Sequence, residues 1–445
     1  MIQEAFLLFA YLATGFAHAQ ETGPRSNRPT TSGEDWTVEI VETVSDPSDS
    51  FGIASLGIDT LGVPQVAYET WRGTDWDART LLWKQKRDGA WQPSELISSE
   101  APTPRGSPER TNYMPAIAVD ASGAPHLTYR RRCRDGDPGC ATYLYNVIEH
   151  ATLGGSGEWI RNRVSEGLAD QGSSTIQVSP KGIAFVAYRW KTTAANDNIG
   201  FVASLDPQGS EWHSPCDIVS AVGNQEHISS ALTAGGFPVL TCTTGVPADD
   251  SGSKRIGLAI STKTTGSDSV CAFGDLVFLE ENKTLLPLGA EIDHIDHSAV
   301  AVGGPLGSEN RVHVVANGSN NSEATGIYYT FADQDFSSLD SWSTPELIVP
   351  DGRHPSISVD SRGAAWIVCQ VLDHDIYPRT RVQVVNGYPG QWSEPVEIDS
   401  EAGHQRLEWY EPAIVIGRKD RIHVLFNRGM QQLRHAWLDL PIARR

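Results

Sequence analysis

Histidine, arginine and tyrosine recur along this chain at comparable places in successive apolar segments, which raises the question of what they could do together. His227, His297 and His354 each stand at the start of such a segment, as do Tyr113 and Tyr410, while Tyr188, Arg130 and Arg189 stand at segment ends. An imidazole of ordinary pKa, about 6.5, takes a proton at neutral pH, a tyrosine can deliver one, and an arginine pairs with a carboxylate through two parallel hydrogen bonds. β-Elimination on a uronic acid needs those three abilities: the carboxylate is neutralised, the adjacent carbon-bound proton is removed, and the leaving oxygen is protonated. The candidates are His227, His297 or His354 as base, Tyr113, Tyr188 or Tyr410 as acid, and Arg130 or Arg189 as clamp. Glu69, Arg132, Trp190, His374 and Arg428 close equivalent segments and are candidate substrate contacts.

Other chemistries are open to the side chains of this chain. Glycoside hydrolysis needs two carboxylates at a defined separation, and Glu69, Glu226, Asp296, Asp373 and Glu411 are available. Acids are common in the chain, so their presence discriminates poorly. Elimination by such residues requires no cofactor, although the run Asp293-His294-Ile295-Asp296-His297 could hold a structural divalent cation. No GxSxG elbow, HExxH pair, phosphate loop or dinucleotide glycine pattern occurs, which removes support from serine-hydrolase, zincin and nucleotide readings. The formal net charge of −20 disfavours nucleic acid as a partner, since phosphate binding needs a basic face.

The elements that must position these residues are legible as an internal repeat. Its clearest copies run from Pro115 to Tyr129 and from Pro355 to Cys369: an apolar strand, a turn of the form Asp-x-x-Gly, then a second apolar strand. Weaker copies turn at Gly62, Gly182, Gly236, Glu309-Asn310 and Asp420. In Asp59–Gly62, Asp120–Gly123 and Asp360–Gly363, the aspartate caps its own turn and the glycine supplies the positive φ of a tight bend. Downstream, Trp91, Trp159, Trp212, Trp342 and Trp392 each open a final strand, a recurrent place that points to packing between repeats rather than to ligand binding. The spacing is that of a propeller blade and too long for a solenoid. The expected fold is therefore all-β, a seven-bladed β-propeller of four-stranded antiparallel blades. The seventh copy, Pro412 to Trp437, lacks a strand, which Trp36–Val44 supplies by closing the ring. Because each strand reverses the chain, starts of first strands and ends of second strands meet at one mouth of the central channel.

The phrase Pro-x-Ile-x-Val-Asp-x-x-Gly, followed by strands such as Ala124–Tyr129 and Arg421–Phe426, resembles the sialidase-like BNR-repeat propellers across nearly the whole chain. Ser358, Asp360, Gly363 and Trp366 approach the Asp-box of that group, with the glycine one residue late. Sialidases proper have an Arg-Ile-Pro signature and six blades, and this chain has neither. Seven-bladed propellers of similar appearance include polysaccharide lyases acting on ulvan or rhamnose-glucuronate linkages, whose sites use His, Tyr and Arg. The resemblance implies a glycan partner and favours a lyase over a lectin-like binding propeller or a sialidase-like hydrolase.

The apolar run Ala5–Phe16 followed by Ala17-His18-Ala19 reads as a signal peptide over residues 1–19. Residues 20–35 read as a disordered spacer and 36–445 as the propeller. A secreted or periplasmic protein is expected, without membrane insertion, because no later apolar run approaches the ~20 residues needed to cross a bilayer. Six cysteines permit disulfides in that setting, with Cys133 and Cys140 suited to a local bridge, and Cys242 and Cys369 falling at matching buried places.

Overall fold

The computed structural model describes residues 35–46, 48–72, 78–100, 113–132, 146–165, 171–193, 196–219, 225–245, 254–260, 277–278, 292–305, 310–320, 326–333, 339–372, 380–399 and 411–440. The expected signal peptide and the Cys133–Cys140 loop lie outside the described residues. No described helix is long and apolar enough to cross a membrane.

Side-chain alternation dictates how the sheets stack. In the strand Pro64–Arg72, Val66 and Tyr68 pack to one side with Phe51, Leu425 and Leu433, while Ala67 packs to the other with Leu81, Trp83 and Leu127. Strands apolar on both faces need cover on both faces, and a ring of sheets set face to face provides it. The seven apolar clusters among the described residues accordingly lie between blades rather than within them. One joins Trp366 and Val368 to Ile414 and Val424, and another joins Ile148 and Val164 to Ile176 and Val186.

Seven antiparallel sheets form the blades of a seven-bladed β-propeller. From blade 1 to blade 6 the innermost strands are Ser50–Ile58, Ala116–Val119, Gln171–Val178, Gln225–Leu232, Ile292–Val302 and Gly352–Val359. Their second strands are Pro64–Arg72, Pro125–Arg132, Ala184–Thr193, Pro238–Gly245, Val312–Asn320 and Ala365–Leu372. Blade 7 is built from both ends of the chain: Ala413–Ile416, Arg421–Arg428 and Gln432–Asp439 are completed by Thr37–Thr43. That last pairing is antiparallel, from Thr37 opposite Trp437 to Thr43 opposite Gln432. It covers a strand edge that would otherwise be open to other chains.

Short polar contacts set the register. Asp59 Oδ1 accepts from the amides of Leu61 and Val63 at 2.8 and 2.7 Å, and Asp120 and Asp360 cap their turns in the same way. Gly62, Gly123 and Gly363 take φ values of 86°, 89° and 83°, which a side chain would resist. Between neighbouring innermost strands, serine hydroxyls reach across the gap: the amides of Ile117, Val300, Ile414 and Ile416 donate to Ser55, Ser229, Ser356 and Ser358. At the rim, Trp91, Trp159 and Trp392 donate their indole N–H to Glu39, Glu95 and Glu346 of the preceding blade at 2.9, 3.0 and 2.9 Å. These tryptophans clasp blade to blade.

Several histidines are structural. His126 pairs with His150 and His423 with His435, each Nδ1 to Nε2 at 3.0 Å, while His313 bridges the Tyr329 hydroxyl and the Gly303 carbonyl. Cys216 is disulfide-bonded, and Cys242 and Cys369 are buried in equivalent second strands.

Candidate active site

One backbone irregularity, repeated from blade to blade, shapes the channel mouth. In blade 4 the pairing passes from Glu226 opposite Thr243 to Ile228 opposite Cys242, leaving His227 as an extra residue. In blade 5 His297 is extra between Asp296 and Ser298, and in blade 6 the same slip falls between Arg353 and Ser356. Such β-bulges re-aim a side chain. His227, His297 and His354 adopt φ values of 44°, 51° and 51°, as Met114 does at 45° in blade 2. A left-handed conformation costs a non-glycine residue ~1–3 kcal/mol, so the surrounding sheet must hold it in place.

These residues occupy one position in the repeat, six before the residue whose amide closes the following turn, as Met114 stands before Asp120 and His354 before Asp360. The same position is Ile53, Ser173 and Glu411 in blades 1, 3 and 7. Blades 4 to 7 thus contribute His, His, His and Glu to a continuous arc of the ring.

The arc is tightly packed. The rings of His227 and His297 lie with centroids 3.4 Å apart, and His354 meets His297 edge to face at 4.1 Å. Glu411 Oε1 is 3.1 Å from His297 Nε2 and 3.4 Å from His227 Nδ1. His227, His297 and Glu411 together offer three metal-ligand atoms, all within 4.8 Å of one another. Burial would raise the Glu411 carboxyl, but the imidazoles of His297 and His227 outweigh it and hold the group well below the usual carboxylate range. Although protein surrounds it, the Glu411 side chain keeps 41 % of its surface open to the channel. Burial, reinforced by the neighbouring His297, brings His354 down to about 3.

A cavity of about 470 Å³ opens beside the arc, and its lining includes His227, His297, Glu411, Arg130 and Arg189. Ser55, Ser174, Ser229, Ser298 and Ser356 surround it with hydroxyls. Arg189 lies opposite the bulge of blade 3, over Gly172, where a Cβ would come within 2.8 Å of its Cδ. The glycine therefore leaves room for the arginine.

Other sequence-derived candidates lie elsewhere. Tyr113 does not line the cavity; it is fully buried among Leu81, Trp83, Leu127 and Tyr129, because the inward-turning position is its neighbour Met114. Tyr188 packs between blades 2 and 3 against Ile148, Ile176 and Val202. Glu69 is buried, ion-paired with Arg79 at 3.3 Å and bonded to the Tyr113 amide; burial, opposed by Arg79, still pushes its carboxyl up to about 7. Trp190 donates to Asp217, and Arg428 reaches toward Asp399 at 4.0 Å. Arg132 ends its strand and does not line the cavity. Tyr410, His374 and Asp373 lie outside the described residues, as do the side chains of Glu226, Asp293, His294 and Asp296. In the sequence, Glu411 stands beside Tyr410 at the segment start that the three histidines occupy in their own repeats, and among the carboxylates open to hydrolysis. What the structure adds is that Glu411 meets His227 and His297.

No protein-family model matches the chain, and no curated protein matches it. Among solved structures it is similar to a protein of unknown function from Dyadobacter fermentans, at 11% identity and a TM-score of 0.50 over 91% of this chain and 99% of the other. It is also similar to an α-L-arabinanase from Penicillium chrysogenum, at 10% identity and a TM-score of 0.47 over 91% and 98% of the two chains. A sialidase from Streptococcus pneumoniae follows at 11% identity and a TM-score of 0.45, over 90% of this chain and 70% of the other. At these identities the likeness is one of fold.

Proposed function

We propose that the channel mouth binds a uronate unit of an acidic polysaccharide and cleaves the polymer there by β-elimination, in a protein exported to meet such polymers. One observation carries the reading: Arg130 and Arg189 line the same cavity as His227, His297 and Glu411. Two guanidinium-bearing residues suit a carboxylate, and imidazoles lining the same cavity suit removal of the proton next to it. An imidazole takes this proton, and the electron pair of the broken C–H bond forms the carbon–carbon double bond. The bond from the next carbon to the glycosidic oxygen breaks, so that oxygen leaves with the departing chain. The leaving oxygen needs a proton, and Tyr410, the chain neighbour of Glu411, is the candidate donor. The disulfide at Cys216 supports an oxidising compartment.

Hydrolysis by a carboxylate pair has less support, because Glu411 is the one carboxylate among the described residues lining the cavity. A glycan-binding role without turnover uses the same cavity and is favoured by the withdrawal of Tyr113 and Tyr188 into blade packing. A panel of uronate-containing polysaccharides separates the three readings. Ultraviolet absorbance from an unsaturated product supports the lyase, new reducing ends without that absorbance support a hydrolase, and saturable binding without either product supports the lectin-like role.

A further inference from the structure

We infer that His227, His297 and Glu411 form a binding site for a single divalent transition-metal cation of the zinc, cobalt or manganese class. This goes beyond the lyase reading and stands without it, because it concerns what the arc binds rather than what the cavity cleaves; an imidazole whose lone pair holds the ion is not the base of that elimination.

The spacing of the donor atoms is the first argument. Glu411 Oε1 lies 3.1 Å from His297 Nε2 and 3.4 Å from His227 Nδ1. Four ligands placed tetrahedrally at about 2.0–2.1 Å from a metal stand ~3.3 Å apart, which matches these separations. The second argument is what the nitrogens do not do. Both ring nitrogens of His297 are buried and neither has a partner in hydrogen-bond geometry, despite the short approach to Glu411. A buried imidazole nitrogen that faces a carboxylate oxygen at 3.1 Å is placed as a fellow ligand would be. The third is donor type: two imidazoles and a carboxylate suit zinc-like and manganese-like ions, whereas calcium and magnesium prefer all-oxygen shells. Three protein ligands leave a further coordination position, and Glu411 and both histidines face the cavity, so a bound ion would be reachable by a small oxygen ligand there.

The geometry also separates this site from one built by the local run Asp293–His297, since the ligands come from blades 4, 5 and the start of blade 7. The test uses the full chain stripped with a chelator and titrated calorimetrically with Zn2+, with the visible spectrum of Co2+ as a second readout. One cation per chain is expected, with a Co2+ spectrum of low-coordinate nitrogen and oxygen ligation. Glu411→Gln and His227→Gln should each weaken binding by at least ~100-fold, more than loss of an outer hydrogen-bonding partner, and His294→Ala should leave it unchanged. Circular dichroism of the metal-free variants shows whether they fold, and the two substitutions on different blades guard against either failing to do so. Absence of saturable binding, unchanged affinity in both Gln variants, or loss of binding in His294→Ala would each overturn the assignment. Metal binding by a chain that cleaves no uronate polymer would refute the lyase reading and leave this site standing; cleavage by a chain that binds no metal would do the reverse.

Discussion

Glu411 Oε1 approaches His297 Nε2 to 3.1 Å, although Glu411 leads into the seventh blade and His297 belongs to the fifth. The contact spans the sixth blade at the channel mouth and gathers a carboxylate and two imidazoles at one point. Replacing Glu411 by Gln keeps its shape and removes its charge. Turnover of a uronate polymer should fall by about a hundredfold, with a melting temperature close to the parent. Unchanged turnover in Glu411→Gln would remove the arc from the chemistry.

The two arginines make a different demand. Arg130→Ala and Arg189→Ala should each raise KM for an acidic glycan about tenfold or more, since a charge-assisted pairing is lost, and should barely affect a neutral one. Gly172→Ala is the subtler probe. Its Cβ would meet Arg189 Cδ at 2.8 Å, so the arginine must shift and the same rise in KM should follow without loss of the arginine itself. An equal change in KM for acidic and neutral glycans relative to the parent would argue against a carboxylate clamp.

The buried histidines make the fold sensitive to acid. Burial lowers His313 to about 4 and His423 to about 3, carries His150 well below its ordinary value, and lowers His435 as well. The unfolded chain takes up protons at about 6.5 that these folded imidazoles refuse, so stability is intact above that pH and declines below it. Each such group removes up to about 1.4 kcal/mol per pH unit between 6.5 and its folded value. Glu69 acts in the opposite sense, because its raised pKa favours the fold as pH falls from about 7 toward 4.5, but one carboxyl faces several imidazoles. Urea midpoints should therefore drop between pH 7 and pH 5, and His423→Gln should flatten the decline. A midpoint that rises over that interval would contradict this account.

The rim clasp from Trp392 to Glu346 is charge-assisted, and Gly390 donates to the same carboxylate at 3.0 Å. Glu346→Ala should cost about 1.5–3 kcal/mol, the range for hydrogen bonds to a charged group, while Trp392→Phe should cost less because the packing against Tyr329 survives in part. Chemical denaturation of the two variants measures both. A loss confined to Trp392→Phe would show packing, not the clasp, to be what joins blades 5 and 6.

Ring closure depends on Thr37–Thr43 lying along Gln432–Asp439. Removing residues up to Thr43 uncovers that edge and strips Trp36 and Val41 from two apolar clusters. The truncated protein should lose cooperative unfolding and associate through the open strand, visible by light scattering. A monodisperse truncated chain with an unchanged denaturation profile would mean that the ring does not need its closing strand.

Much of this architecture could be read from the chain alone, because it is written in local chemistry. Alternating apolar residues, the self-capping Asp59, Asp120 and Asp360, and a tryptophan at the head of outer strands each act within a few residues, and repetition turns local rules into a seven-bladed ring. Even the closing strand could be assigned by counting what the last copy lacked. Tertiary structure decided which side chains face the channel. A bulge shifts the pattern by one residue, and one residue reverses the face in a strand. Met114 therefore turns inward while Tyr113 packs in the core. The meeting of Glu411 with His227 and His297 depends on ring curvature, a property of all the blades together that no local segment encodes.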